Sequence, residues 1–197
     1  MNEKKMSMKV VTLVLTAVLL FGCAVGGTLA WLQDTTDPVV NTFTEGKVDI
    51  DLYETPVNGG TNKANTYKMV PGDVLSKDPT IEVLAVSEAC WLFVKVEEIN
   101  DVDTFLDYDI AEGWTLVPGE TNVYYRAVAD TDDVQKFYVL AGDNNNPNGI
   151  VTVNSDVEMA DMDGLTEANR PQLQFTAYAI QKANIATVAE AWAALNP

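Results

Sequence analysis

No histidine occurs in this chain, and its only cysteines are Cys23 and Cys90. A Ser-His-Asp or Cys-His nucleophile pair therefore cannot be assembled. The histidine-based zinc motif of metalloproteases is missing too, and one or two cysteines cannot build a structural zinc site. Ser76-Lys77 has the composition of a serine–lysine pair, but adjacent residues on one turn read as a solvated surface. Carboxylates are abundant, and Asp49 and Asp51 share one face of an alternating segment; with Val48, Ile50 and Leu52 between and beside them, that face is the wet side of a strand rather than a glycosidase-type acid pair. The chain is expected not to be an enzyme and to need no cofactor.

Oxygen ligands for calcium deserve separate treatment. Asp143-Asn144-Asn145-Asn146-Pro147-Asn148-Gly149 is rich in them. Proline breaks the spacing of an EF-hand loop, however, and no glutamate closes it at the twelfth position. Asp130, Asp132 and Asp133 form a second acidic group. Both read as polar loops, and no metal ligands are assigned.

The amino terminus is the most informative stretch. Lys4, Lys5 and Lys9 precede an apolar run from Val10 to Phe21, and small residues follow. Thr28 and Ala30 occupy the minus-three and minus-one positions of a cleavage point before Trp31. A cationic flank, a short apolar core and a small-x-small site make a secretory signal peptide over residues 1–30. The run is shorter than the ~20 residues of a permanent span. Leu20-Phe21-Gly22-Cys23 offers a rival reading, a lipobox with Cys23 as the lipidated terminus, although Phe21 is bulky for that motif.

Cleavage after Ala30 would remove three of the 12 basic residues and one of the 29 acidic ones, taking the net charge from −17 to −19. Such a balance excludes a nucleic-acid binder, which needs clustered Lys and Arg, and argues against electrostatic docking on an anionic membrane. The mature chain would keep Cys90 alone and could form no internal disulfide. It must rely on its core, and Cys90 in Ala89-Cys90-Trp91-Leu92-Phe93-Val94 reads as a buried thiol.

These features need elements to hold them. Val48, Ile50 and Leu52 alternate with polar residues, as do Leu173, Phe175, Ala177 and Ala179, the period of half-buried strands. Ile81–Val86 and Trp91–Val96 are apolar enough for central strands, and Val123–Val128 and Phe137–Leu140 add two more. Asn58-Gly59-Gly60, Pro71-Gly72, Pro118-Gly119 and Asn148-Gly149 supply turns between them. Ala129–Asp133, Gly142–Gly149 and Asp156–Gly164 read as exposed loops. One helix is expected at the C-terminus, capped by Asn184 and carrying Ile185, Val188, Trp192 and Leu195 on one stripe. The predicted class is all-β: an antiparallel β-sandwich forming one domain over residues 31–197.

The residues also resemble a family. Gly26-Gly27-Thr28-Leu29-Ala30-Trp31-Leu32-Gln33-Asp34, then Asn41-Thr42-Phe43-Thr44-Glu45-Gly46-Lys47-Val48-Asp49-Ile50, is similar to the amino-terminal signature of the TasA/camelysin family of exported Gram-positive proteins. Met69-Val70-Pro71-Gly72-Asp73, Cys90-Trp91-Leu92-Phe93-Val94-Lys95-Val96 and Thr176-Ala177-Tyr178-Ala179-Ile180-Gln181 extend the resemblance. It implies a jelly-roll form of the sandwich, processing by a SipW-type signal peptidase, and a secreted biofilm-matrix or cell-surface fibre subunit. It further implies that residues 31–47 hold a donor strand, with Trp31, Leu32, Val39, Val40 and Phe43 entering a neighbouring copy or a related subunit. Proline cannot donate to a ladder, so Pro38 counts against a regular strand there. The metalloprotease label within that family is not carried over to a chain without histidine. The competing expectation is a monomeric secreted or lipid-tethered binding module using the acidic loops or the aromatic pair Tyr124 and Tyr125.

Overall fold

The computed structural model describes residues 7–27 and 46–195. The chain divides after Phe43 into two units. Within the first, α1 (Met8–Gly27) covers the apolar run. Its threonines are satisfied internally, Thr12 Oγ1 donating to Met8 O and Thr16 Oγ1 to Thr12 O, each at 2.8 Å. Hydroxyls bonded back to the preceding turn leave the surface apolar, and Leu13, Leu15, Leu19 and Leu20 are exposed along it. No helix among the described residues is long and apolar enough to cross a membrane. Cys23 falls within α1. The expected cleavage residues Thr28, Ala30 and Trp31, and the expected donor residues Trp31, Leu32, Val39, Val40 and Phe43, lie outside the described residues.

The second unit opens with β1 (Ile50–Tyr53), β2 (Val74–Ser76), β3 (Thr80–Val83) and β4 (Cys90–Ile99). A helical turn, α2 (Val102–Phe105), leads to β5 (Leu106–Asp107), β6 (Thr115–Leu116) and β7 (Val123–Val128). Then come β8 (Gln135–Tyr138), β9 (Ile150–Val153), α3 (Met159–Asp163), β10 (Gln172–Gln181) and α4 (Val188–Leu195). The strands form three sheets in the orders β1-β3-β8, β10-β4-β7-β6 and β2-β9-β5. Their pairings are antiparallel throughout. The all-β sandwich with a C-terminal helix is therefore the observed fold.

β4 is apolar on successive residues because both of its faces are covered. Cys90, Leu92, Val94 and Val96 join Ile81, Val83 and Val139 in a core between sheets, while Phe93 turns the other way to meet Val117, Val123, Ala191 and Trp192. Burial pushes the Cys90 thiol up to about 11, as expected of a fully enclosed structural cysteine. The alternating residues of β1 and β10 behave as their period requires: Ile50, Leu52, Leu173, Phe175, Ala177 and Ala179 pack on the first core. Asp49 and Asp51 point outward to Lys47 and Lys63, at 2.7 and 2.6 Å.

α4 lays Val188, Trp192 and Leu195 on the second core, joined by Ile185. Trp192 stands edge-on to Tyr178 with ring centres 5.6 Å apart, and its indole donates to Glu120 Oε1 at 2.9 Å. The helix begins later than expected. Thr187 and Glu190 exchange backbone and side-chain bonds at 3.1 and 3.3 Å in a capping box. Asn184 instead occupies a left-handed turn at φ 65°.

Other expectations need correction. The strand drawn from Ile81 to Val86 ends at Val83, because Val86 takes a left-handed φ of 61° and faces solvent. The strand drawn from Phe137 to Leu140 runs instead from Gln135 to Tyr138. Asp156–Gly164 is not all loop: Glu158 and Asp161 form a capping box that starts α3. Tyr124 and Tyr125 are half-buried and pack on opposite cores, so they do not present an exposed aromatic pair.

Candidate functional site

Two features of the β unit come together around β10. The first is its edge. β10 pairs with β4 over all ten residues, Gln172↔Ile99 to Gln181↔Cys90, and stands at the end of its sheet. Among the described residues no strand pairs with its other side. At ~3.3 Å per residue, this leaves about 33 Å of strand with outward N–H and C=O groups. β1, also the outermost strand of its sheet, lies close to β10 across the same rim.

The opposite rim is closed. Trp114 Nε1 donates to Tyr138 O on β8 at 2.8 Å, and the Ala111 amide donates to Val139 O at 2.9 Å. Arg126 lies over the Phe137 ring, 4.1 Å from its centre, and 5.3 Å from that of Trp114. Burial lowers the guanidinium pKa, and its Nε makes no hydrogen bond among the described residues. Its role there is packing and cation–π contact. A side-chain plug of this kind is how a sheet edge is kept from pairing.

The second feature is a cleft of about 750 Å³ beside the start of β10. One wall is the loop after β1. Asn65 fastens that loop: its Oδ1 accepts from the Val57 amide at 2.9 Å, and its Nδ2 donates to Glu54 Oε2 and Thr55 O, both at 3.1 Å. Thr55 adds a second anchor by donating to Asp78 through its amide and its hydroxyl, at 2.9 and 2.6 Å. The loop carries Tyr67 over the cleft. The other wall is β10 itself, with Leu173 and Phe175, and Leu75 and Val151 supply apolar lining.

At the centre is Lys77. Its ammonium donates to Glu54 Oε1 at 2.7 Å, and both side chains are only 13% exposed. The same nitrogen sits 5.3 Å from the Tyr67 ring centre and 5.2 Å from that of Phe175. An ion pair this enclosed needs such company, because desolvation otherwise outweighs the attraction. Gly149 lets the chain approach from behind: it sits at φ 140°, and a Cβ there would lie 2.3 Å from Lys77 O. The reading of Ser76-Lys77 as solvated surface is corrected here, since Ser76 is exposed but Lys77 is not.

The Tyr67 ring covers this pair. Its hydroxyl is enclosed beside Glu54 and Asn65. Burial raises its pKa strongly, and the carboxylates of Glu54 and Asp78 push it further the same way. At the mouth, Arg170 is exposed and makes no ion pair among the described residues. Asn100 fixes its position by donating to Arg170 O at 2.9 Å and to Ala168 O at 3.2 Å.

The arrangement suits binding better than bond-breaking. Glu54 is committed to Lys77 and Asn65, so it is not a free base. Among the described residues no three His, Cys, Asp or Glu side chains converge as metal ligands. In the Asn-rich loop, Asp143 accepts from the amides of Asn145 and Asn146 at 2.8 and 2.6 Å, so this carboxylate closes a turn. Sequence reasoning missed Glu54, Tyr67, Arg170 and Phe175 as a group. Their separation along the chain hides them, and the one local signal was a lysine next to a strand of otherwise neutral residues.

Comparison with known proteins adds one match. A family model described as camelysin metallo-endopeptidase matches residues 2–88. The camelysin-like assignment stands over that segment, which includes α1, β1, the cleft loop, Lys77 and β3. No curated protein and no solved structure matches the chain.

Proposed function

We propose that this chain, camelysin-like over residues 2–88, is a secreted structural subunit of an extracellular matrix or surface fibre and is not a protease. A SipW-type peptidase releases it from its leader after Ala30. Residues 31–44 of one copy then add a strand to the β10 edge of the next. The observation that carries this reading is the asymmetry of the sandwich. One rim is plugged by Trp114 and Arg126, whereas β10 offers ten residues of unpaired edge beside a cleft. β-Strand addition satisfies such an edge with main-chain bonds and places side chains in adjoining pockets.

The leader supports export in the same physical terms. α1 exposes Leu13, Leu15, Leu19 and Leu20 and bonds its threonine hydroxyls inward, which suits the short apolar core of a leader rather than a permanent span. The family's protease label finds no support in the described carboxylates, which do not cluster, or in a sequence without histidine. Amide hydrogen exchange tests the acceptor assignment. In assembled material the outward amides of β10 should exchange at least tenfold more slowly than in the monomer. Equal exchange in the two states would remove β10 as the acceptor.

A further inference from the structure

The cleft beside β10 stands out in a strongly acidic chain because cations gather in it. Lys63, Lys77 and Arg170 line it, against the carboxylates of Glu54 and Glu167. Lys77 is spent on Glu54, and Lys63 on Asp51 and the Leu52 carbonyl. Arg170 has no ion-pair partner among the described residues and is held at the entry to β10 by Asn100. Arg170 is thus an unused charged donor where an extended chain added to β10 would pass.

The complementary group is in the sequence. Residues 31–44 read Trp-Leu-Gln-Asp-Thr-Thr-Asp-Pro-Val-Val-Asn-Thr-Phe-Thr, with two aspartates, Asp34 and Asp37, and no cation. This length exceeds the ten residues of β10. Resting on the strand-addition reading above, we propose that the occupant of the cleft mouth is the acidic half of this segment from a second copy. Asp34 or Asp37 pairs with Arg170. A planar guanidinium suits a carboxylate through two parallel bonds. Between two subunits that both carry a large negative charge, this pair also sets which end of the segment enters the cleft.

The test is a charge exchange in protein beginning at Trp31, read by electron microscopy and by the concentration at which material becomes sedimentable. Arg170→Glu is expected to raise that concentration about tenfold or more. Adding Asp34→Lys and Asp37→Lys in the same chain is expected to restore it. Arg170 is exposed, so Arg170→Gln should melt as the parent does, and a matched melt for Arg170→Glu separates assembly from folding. Filaments from Arg170→Glu at the parent's concentration, or a loss that the aspartate reversals do not restore, overturn the charge pairing. The protein beginning at Val48 is the separate control: filaments from it would defeat strand addition itself, whereas filaments from the Trp31 protein alone leave that reading standing whatever Arg170 does.

Discussion

At the scale of the residue, the Lys77–Glu54 pair is the clearest case of position deciding character. A lysine after a three-residue strand would ordinarily reach water. Here the β1 loop closes over it, and Glu54 with two aromatic rings replaces the water. Glu54→Gln leaves the ammonium enclosed without its counter-charge and is expected to cost about 3 kcal/mol in urea unfolding. A loss below about 1 kcal/mol would mean that Lys77 swings out to solvent. None of this was legible in the sequence, because the partners are 23 residues apart and the loop between them has no regular period. Trp192, by contrast, was legible at once: its place on a helical stripe predicted the burial that the fold shows.

The Glu82 and Asp51 ion pairs are expected to contribute to the acid limb of stability. Hydrogen bonds from Lys136 and Tyr53 hold the Glu82 carboxyl below the usual range, and the bond from Lys63 does the same for Asp51. A depressed carboxyl lends stability that is fully present above its unfolded value, 4.5 for Glu82 and 3.8 for Asp51. That contribution is lost as pH falls through the lower folded values. Lys136→Met is therefore expected to lower the melting temperature modestly near neutrality and to flatten its fall below about pH 4.5, where the parent loses the same contribution. An unchanged acid limb would show that other carboxylates control it.

At the scale of the element, strands that bury one or both faces announced themselves. β1, β4, β7 and β10 sit where alternation or continuous apolarity put them. β2, β5 and β6 did not, since two or three residues are too few to display a period, and β9 was missed although Ile150, Val151 and Val153 are apolar. The C-terminal helix was legible in its stripe but misplaced at its start. Thr187-Val188-Ala189-Glu190 has the capping-box spacing, and it competes with Asn184 for the role of cap. Thr187→Ala is expected to lower stability by about 1 kcal/mol, measured by thermal or urea unfolding. No loss would return the cap to another residue.

At the scale of the whole molecule, one sandwich rim is plugged and the other is open, and no single residue conveys that. The open edge follows from sheet order, which sequence periodicity does not contain. The expected donor segment rests on the resemblance at the leader junction alone, and it lies outside the described residues. Charge then becomes the brake on association. With a net of −17 before any cleavage, subunits repel at low salt. Salt near 0.15 M shortens the range of that repulsion to about 8 Å, and mild acid reduces the charge itself.

The central claim is that residues 31–44 drive assembly by joining the β10 edge. Electron microscopy of protein beginning at Trp31 beside protein beginning at Val48, at moderate salt and mildly acidic pH, tests it most directly. Filaments from the longer protein alone are the expected result. Dispersed monomers from both, or filaments from both, would contradict the claim.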